Sequence, residues 1–430
     1  CLMHFPRTLG GALLSVLISP LPIQAAEWSA EPRISLRSGY NDNIRLTTRD
    51  HDSVWETALT PAVKFGAARE HQGLFGDASA SIRRFSGGSG NESSSVLDRE
   101  DYFLNTNAYH RTERDEFSAL VNYTRDSTLD SELDTTGQAL DNYATRTRLS
   151  LGPSWSRTLD ERTRLTLGYN FSTVDYSDDS GVRDLVEYDY DVWSASLTRQ
   201  FTPRLQGTLA SSYSSYQPDT DAGLDSDTVN LQVGITRNFS ETLTTSWLAG
   251  IRRTTSDTLI PTGTGTCFPP FGTYPTCGGI GFPVPDFKKD ETDDTGSVYS
   301  AEITKLLETG KISASLSRVS NPSGDGELLD TTRLKLSGEH KFTETLRTTL
   351  SVEYSNAETI ANFSGIRDQT DQDLLRIRPK IFWRWRREWQ LGAEYEYAEK
   401  DENNRNSDTA TRNAFYLSLT YRQPKISLSR

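Results

Sequence analysis

Long apolar runs are scarce in this chain of 430 residues, which has a mean hydropathy of -0.59 and 35% hydrophobic residues. Beyond the first 26 residues, no segment reaches the roughly 18 to 20 consecutive apolar residues that a membrane-spanning helix needs. Long helical periodicities and the aliphatic content of a soluble α/β enzyme are also missing. These absences exclude a helical membrane protein and argue against a soluble α/β enzyme.

Positive charge and histidine are also limited. The formal net charge of -13 argues against a nucleic-acid partner. The chain has five histidines, and those after the N-terminal segment are scattered over predicted loops, turns and strand ends, so a Ser/His/Asp arrangement is not indicated. These four are His51, His71, His110 and His340. We therefore expect a protein that is not an enzyme and has no cofactor.

The N-terminal segment has the features of a secretory signal peptide. A weakly basic start at His4 and Arg7 precedes a short apolar core over 9–22, and Ala25 and Ala26 supply small residues for cleavage. We predict a signal peptide over 1–26 and export of residues 27–430. A spanning helix is the alternative, although the apolar core is short for one.

The stretch 373–397 alternates in chemistry with a period of two, which is typical of a β-strand. One face carries Leu375, Ile377, Pro379, Ile381, Trp383 and Trp385. After a predicted turn near Arg387 and Glu388, the next strand repeats the split. The rest of the chain offers only more such strands, so we expect these apolar faces to meet lipid.

Strands alternate along the chain with very short links and long polar loops, and we count about eighteen strands, with a range of 16 to 20. This pattern predicts an all-β protein: a single antiparallel transmembrane β-barrel with short periplasmic turns and long extracellular loops. The predicted location is the bacterial outer membrane. A repeated hairpin motif places Phe201, Phe239 and Phe342 at the membrane edge before Ser/Thr turns. Prolines within strands predict bulges at Pro61, Pro153 and Pro379.

Two cysteines remain after removal of the signal peptide, Cys267 and Cys277, and both lie in the longest predicted loop, 254–296. In an oxidising compartment we predict a disulfide between them, since no metal ligands lie nearby. The loop either folds into the pore as a constriction or is a stapled surface loop. An acidic run within it, Asp290 to Asp294, is predicted to be solvated, because its spacing does not match a calcium loop.

Cationic side chains fall on the predicted inward face of several strands, accompanied by acidic ones. The predicted pore-lining residues are Arg146, Arg148, Arg333, Lys335, Arg347, Arg376, Arg378, Lys380, Arg384, Arg386, Glu394 and Glu396. Guanidinium groups suit carboxylate or phosphate, so this row predicts a path for anionic solutes. The alternative is cross-strand pairing of the cations with Glu353, Glu394 and Glu396, which would only stiffen the wall.

The opening of the predicted barrel, Arg33 to Leu46, contains the run Gly39-Tyr40-Asn41-Asp42-Asn43 after the first strand. It resembles the start of the second group of β-barrel porins, outer-membrane proteins often linked with exopolysaccharide secretion. The resemblance implies a porin-like barrel linked with exopolysaccharide, and together with the cationic row it predicts a channel that passes anionic solutes or exopolysaccharide. It also implies contact with outer-membrane lipid and lipopolysaccharide, with periplasmic chaperones and the barrel assembly machinery, and with exopolysaccharide secretion components. Two alternatives stay open: a non-conducting sheath for a secreted partner, and an outer-membrane barrel enzyme.

Overall fold

The computed structural model describes residues 27–48, 51–87, 97–138, 143–177, 185–219, 225–268, 282–361, 371–402 and 409–429. Within these ranges the chain forms eighteen long strands, one short strand and a helix. The strands are β1 Glu27–Asn41, β2 Val54–Ala68, β3 Gln72–Gly87, β4 Arg99–Arg111, β5 Asp115–Ser127, β6 Thr145–Asp160, β7 Thr163–Ser177, β8 Tyr188–Thr202, β9 Leu205–Pro218, β10 Ser226–Asn238, β11 Leu243–Phe268, β12 Phe282–Leu307, β13 Gly310–Pro322, β14 Leu328–Lys341, β15 Leu346–Ala361, β16 Asp371–Arg384, β17 Trp389–Glu402, β18 Ala410–Arg422 and β19 Ile426–Ser429. The helix is α1, Thr128–Thr135.

Each long strand pairs antiparallel with the next one along the chain, and the last strands pair with the first. Arg422 of β18 lies opposite Arg33 of β1, and β19 continues this edge with Leu428 opposite Trp28. The sheet is therefore closed, which satisfies every edge. This confirms the predicted single antiparallel barrel of about eighteen strands, and β19 extends the last strand.

The outer face of the barrel is apolar. In β10, Val229, Leu231, Val233 and Ile235 alternate with polar residues and stay exposed, with Val233 at 64%. A belt of this kind exposed to water would be strongly unfavourable, whereas lipid accepts it. A closed barrel with an apolar exterior, short turns at one end and long loops at the other lies in an outer membrane, with the short turns in the periplasm.

Aromatic side chains mark the periplasmic edge, as the repeated motif predicts. Phe201, Phe239 and Phe342 are all exposed next to short turns, Phe342 at 61%. In the turn after Phe239, Ser240 Oγ accepts a hydrogen bond from the Leu243 amide at 3.0 Å. In the turn after Phe342, Thr343 Oγ1 accepts one from the Leu346 amide at 2.9 Å. The Ser/Thr position thus closes the turn, and the aromatic ring lies where amphipathic rings are favoured.

The predicted bulges at the strand prolines are wrong. Pro61, Pro153 and Pro379 each keep a partner on one neighbouring strand, and the ladder on the other side skips the proline without a register shift. Pro379, for example, lies opposite Leu350, while the ladder to β17 resumes at Lys380 in the same register. Each proline removes one donor, but the flanking pairs hold the register.

The predicted loop 254–296 is largely a continuation of two strands. β11 and β12 stay paired from Leu243 opposite Lys305 to Phe268 opposite Phe282, with register shifts near Gly263. The acidic run therefore lies on a strand and not in a loop, while its described residues 291–294 are exposed to solvent, as predicted. Asp294 forms an ion pair with Arg252 at 2.7 Å.

The described part of the chain contains no helix that is both long and apolar enough to cross a bilayer.

Candidate functional site

Helix α1 lies inside the lumen near its extracellular end, directly after β5. Ser127 caps it, since its Oγ accepts a hydrogen bond from the Leu129 amide at 3.3 Å. The helix ends at Thr136, and Gly137 follows with φ +78°, a conformation that glycine adopts without strain. A Cβ at Gly137 would also lie 2.8 Å from Ser355 Oγ. Gly137 thus both ends α1 and lets it approach the wall closely.

Two leucines one helical turn apart anchor α1 to the inner wall. Leu129 and Leu133 are four residues apart, so they project along the same side of the helix. Leu129 belongs to a buried cluster with Val54, Phe85, Leu97 and Tyr143. Leu133 belongs to a second cluster with Leu46, Leu374, Ala398 and Ala410. Both clusters lie near β1, one on β2 and β3 and the other on β16 to β18, so apolar packing holds this side of the helix against that part of the wall.

Three acidic residues of α1 form ion pairs with the barrel wall. Asp130 accepts hydrogen bonds from Arg99 Nη2 at 2.6 Å and Arg83 Nη1 at 3.2 Å. Asp134 accepts one from Arg376 Nη2 at 2.8 Å.

The third acid, Glu132, lies on the opposite face of α1. It is fully buried, 3.2 Å from Arg146 Nε, and accepts a hydrogen bond from the Tyr176 hydroxyl at 2.9 Å. Breaking a buried pair of this kind by removing one partner is strongly destabilising. The acids on the other face of α1 are more exposed than Glu132. The side chains of Asp130 and Asp134 are 48% and 60% exposed, although Arg376, the partner of Asp134, is buried.

The electrostatic environment of Asp130 reflects its two arginines. Burial alone would raise the pKa of its carboxyl group, but the Arg99 and Arg83 guanidinium groups outweigh it and lower the pKa from 3.8 to about 2. Asp130 is therefore ionised at any physiological pH. Its attraction to the wall is lost only in strong acid.

The loop between β1 and β2 also folds into the lumen, and the Asn41-Asp42-Asn43 run holds it there. Asn43 Nδ2 donates to the carbonyls of Thr47 at 2.9 Å and Thr411 at 3.0 Å, and its Oδ1 accepts from the Thr47 amide at 3.1 Å. Asp42 accepts from the Asn413 amide at 2.6 Å. These bonds place Leu46 against Leu133 of α1. The Asn41-Asp42-Asn43 run, which is part of the motif that resembles the porin group, thus holds the β1–β2 loop against α1.

Beneath α1 lies a polar chamber of about 610 Å³, which we call the cationic chamber. Its walls come from β1 to β7 and β16 to β18, with Asp130 and Asp134 of α1 on one side. Nine cationic side chains line it: Arg37, Arg83, Arg99, Arg146, Arg148, Arg376, Arg378, Lys380 and Arg412. Six acidic ones accompany them: Glu56, Asp126, Asp130, Asp134, Glu394 and Glu396. Cations thus outnumber acids among the lining side chains, while Glu132, Asp101 and Glu353 pair with lining arginines from behind, so the local surplus of positive charge depends on where the unpaired cations lie.

Most cations of the chamber have a close carboxylate, but three do not. Lys380 lies 2.9 Å from Glu394, and Arg412 is paired with Glu396. By contrast, within the described residues Arg37 and Arg148 have no carboxylate within 4.0 Å, and the carboxylate nearest Arg378 is 3.9 Å away.

Two of the three under-neutralised guanidinium groups are held in place by other contacts. Arg37 stacks on the Tyr416 ring at 3.6 Å. Arg148 donates to Ser150 Oγ at 3.2 Å and Ser172 Oγ at 3.4 Å. Such groups are preorganised to bind an anion. We call Arg37, Arg148 and Arg378 the open arginines.

The other residues predicted to line the pore are distributed outside the chamber. Arg333 lies 3.3 Å from Glu353, and Lys335 is opposite Glu353 in the ladder. Together with the chamber pairs, this is the cross-strand pairing considered as the alternative. The cross-strand pairs that stiffen the wall are therefore present beside cations that have no close carboxylate.

Three predicted cations lie at the periplasmic end. Arg347 and Arg384 border a shallow cavity of about 510 Å³ between periplasmic turns. The strand β16 ends at Arg384, so Arg386 lies in the turn, where its guanidinium is 5.3 Å from the Trp385 ring. The alternation of inward and outward side chains therefore ends at Arg384, whereas it was predicted to continue to Arg386.

Two further predictions concern residues that the structure does not describe. The signal peptide, 1–26, lies outside the described residues, and so does Cys277, so the disulfide with Cys267 stays a prediction. Among the described residues, no group of three or more histidine, cysteine or acidic side chains could hold a metal ion.

The sequence interpretation missed α1 and its arginine partners Arg83 and Arg99. The predicted long loop 126–141 does contain helix signals: a capping Ser127, leucines four residues apart and a terminal Gly137. These signals identify a short helix. They do not indicate that it lies inside the barrel.

No protein-family model matches the chain, and no curated protein matches it either, so the resemblance to the second group of β-barrel porins stays a prediction. Solved structures with a similar shape include OccAB4 of Acinetobacter baumannii, with 10% identity over 94% of this chain and 100% of that one, at a TM-score of 0.44. Another is OpdK of Pseudomonas aeruginosa with vanillate, with 9% identity over 93% and 99% of the two chains, at 0.42. The copper transporter OprC has 10% identity over 89% and 64%, at 0.43. The similarity is one of overall shape, and the barrel itself is established by the strand pairing described above.

Proposed function

We propose that the protein is an outer-membrane channel that passes small anionic solutes through the cationic chamber. The observation that carries this proposal is the set of open arginines, which line the chamber and have no carboxylate closer than 3.9 Å among the described residues. Fixed charges that line a water-filled passage decide which ions enter it. Guanidinium groups without a close carboxylate therefore favour anions, and carboxylates above all.

The size of the chamber favours a small solute over a polymer. A volume of about 610 Å³ lies within the range of small-molecule sites. An exopolysaccharide with uronate carboxylates shares the same chemistry, but α1 lies across the lumen that such a chain would have to thread. A sheath barrel would likewise need a lumen free of α1. The small-solute channel is therefore the function that we favour.

The test is ion selectivity in planar bilayers. We expect purified protein to give conductance steps and a reversal potential in a KCl gradient that indicates preference for chloride. Replacing all three open arginines, as Arg37→Gln, Arg148→Gln and Arg378→Gln, should move the chloride-to-potassium permeability ratio towards one. The matched control is Arg253→Gln, because Arg253 is exposed beside the outward-facing Ile251.

Two results would contradict the proposal. A folded barrel, judged by heat-modifiable migration in electrophoresis, that gives no conductance steps either with or without a dicarboxylate such as adipate would exclude a channel. A permeability ratio that is the same in the triple variant and in wild type would show that the open arginines do not set the selectivity.

A further inference from the structure

We propose that Asp130 and Asp134 of α1 occupy the anion site of the chamber, and that a solute dicarboxylate competes with them and releases the helix. This inference rests on the proposed function, since it names the solute class and the way that it opens the lumen. The two side chains are carboxylates bound to Arg83, Arg99 and Arg376. They therefore stand where the carboxylates of a solute would bind.

The geometry of α1 defines the solute. Asp130 and Asp134 are four residues apart, so they lie on one face about 6 Å apart along the helix axis. Arg99 with Arg83 on one side and Arg376 on the other thus form two anion-binding points at roughly that spacing. A linear dicarboxylate such as adipate can span both points, whereas a monocarboxylate reaches only one.

Exposure makes the exchange of ligands accessible from the chamber. The carboxylates of Asp130 and Asp134 are about half exposed there, while their arginine partners are mostly buried. Without the helix, Arg83 and Arg99 keep Asp101 on the wall and Arg376 keeps Glu353 at 3.5 Å, so each point loses one of its carboxylates, which a solute carboxylate can replace. Glu132, on the opposite face of α1, is fully buried against Arg146 and Tyr176. It therefore holds the helix to the wall and is not replaced by a solute carboxylate.

Competition has a thermodynamic consequence. An arginine pair that holds a solute dicarboxylate cannot hold α1, so the solute binds the released state more tightly and shifts the population towards it. A ligand without preference for either state would shift nothing. We therefore expect adipate to loosen α1, and propionate at the same carboxylate concentration to have a much smaller effect.

The first test measures the release of α1 directly, by hydrogen–deuterium exchange of residues 128–136 in detergent-solubilised full-length protein. We expect adipate to speed the exchange of this segment, and propionate to leave it nearly unchanged. The double variant Asp130→Asn and Asp134→Asn should exchange roughly tenfold faster without solute, since it loses charge-assisted hydrogen bonds to the wall. Adipate should then add little. The matched control is Asp293→Asn, which removes an arginine pair of 2.7 Å on the outer face.

The second test measures the open fraction in bilayers. We expect adipate to increase the open fraction of wild type, and the double variant to be mostly open without it. If adipate only reduces the current, equally in wild type and variant, or if it protects the 128–136 amides, the inference is overturned. Because exchange does not depend on conductance, a barrel that shows adipate-dependent release but no current would contradict the channel and not the anion site. If the double variant fails to fold, the wild-type exchange experiment with adipate decides alone.

Discussion

The two ends of the lumen are stabilised by different kinds of contact. At the extracellular end, α1 and the β1–β2 loop are packed between apolar clusters and ion pairs, and side chains such as Arg146, Glu132 and Arg376 are almost completely buried. At the periplasmic end, neighbouring strands are joined across the inner face by pairs of hydroxyl groups. These include Ser118 with Ser154 at 2.7 Å, Ser156 with Thr166 at 2.9 Å and Ser313 with Ser337 at 2.6 Å.

The difference between ion pairs at one end and hydroxyl pairs at the other shows how one barrel can combine a region that selects solutes by charge with a region that does not. Hydrogen bonds that involve a charge contribute about 1.5–3 kcal/mol, and neutral ones about 0.5–1.5 kcal/mol. Charge pairs such as Asp134 with Arg376 therefore fix an inner element precisely and also present charge to a solute. Hydroxyl pairs hold strands together but carry no charge. We infer that selectivity is set mainly in the extracellular half, and that the periplasmic half, where Arg347 lies 3.6 Å from Glu339, is a vestibule whose strands are joined largely by uncharged pairs.

The largest expected effect comes from removing an anchor of α1. Leu133→Ala leaves a cavity in a cluster where Leu133 is only 2% exposed, and such changes cost about 2–5 kcal/mol. Because the cost falls on the docking of α1, we expect faster deuterium exchange of 128–136 and a larger single-channel conductance, with the barrel intact. Leu231→Ala, on the lipid-facing side of β10, is the matched control. Normal conductance and exchange in Leu133→Ala would mean that α1 does not restrict the lumen.

The same contrast explains which parts of the structure the sequence could predict. Wall residues such as Arg376 and Ile377 are distinguished by alternation between neighbours, which is local information. The position of α1 depends on contacts such as Asp134 with Arg376, which are 242 residues apart in the chain. No local pattern specifies such a pair. The bulges predicted at the prolines are wrong for the opposite reason. The local rule predicts a bulge at Pro379, but the strand pairs before and after it keep one register.

A smaller effect is expected from acid. The pKa of Asp130 is lowered to about 2 in the docked state, compared with 3.8 when free, so its contribution is complete above pH 3.8 and lost as the pH falls through about 2. We expect exchange of 128–136 to be constant from pH 7 to 5, after correction for intrinsic exchange rates, and to rise between pH 4 and 2. Asp130→Asn serves as the reference, since it lacks the one carboxyl group whose lowered pKa is at issue. The acid-dependent rise should be smaller in that variant. An equal rise in both proteins would exclude Asp130 as its source.

The smallest effect should come from the periplasmic half, where Ser313→Ala removes one neutral hydrogen bond. The remaining hydroxyl of Ser337 is only half-buried and can bind water in the lumen, so no buried polar group is left unsatisfied. We expect a loss of stability of about 0.5–1.5 kcal/mol at most, seen as a slightly lower temperature of heat-modifiable unfolding. Conductance, ion selectivity and exchange of 128–136 should match wild type, because this hydroxyl pair carries no charge and does not contact α1. The double variant Ser313→Ala and Ser337→Ala tests the same point without a leftover hydroxyl. A change in the chloride-to-potassium ratio in either variant would show that the periplasmic half also selects the solute, and the contrast between the two halves would then be wrong.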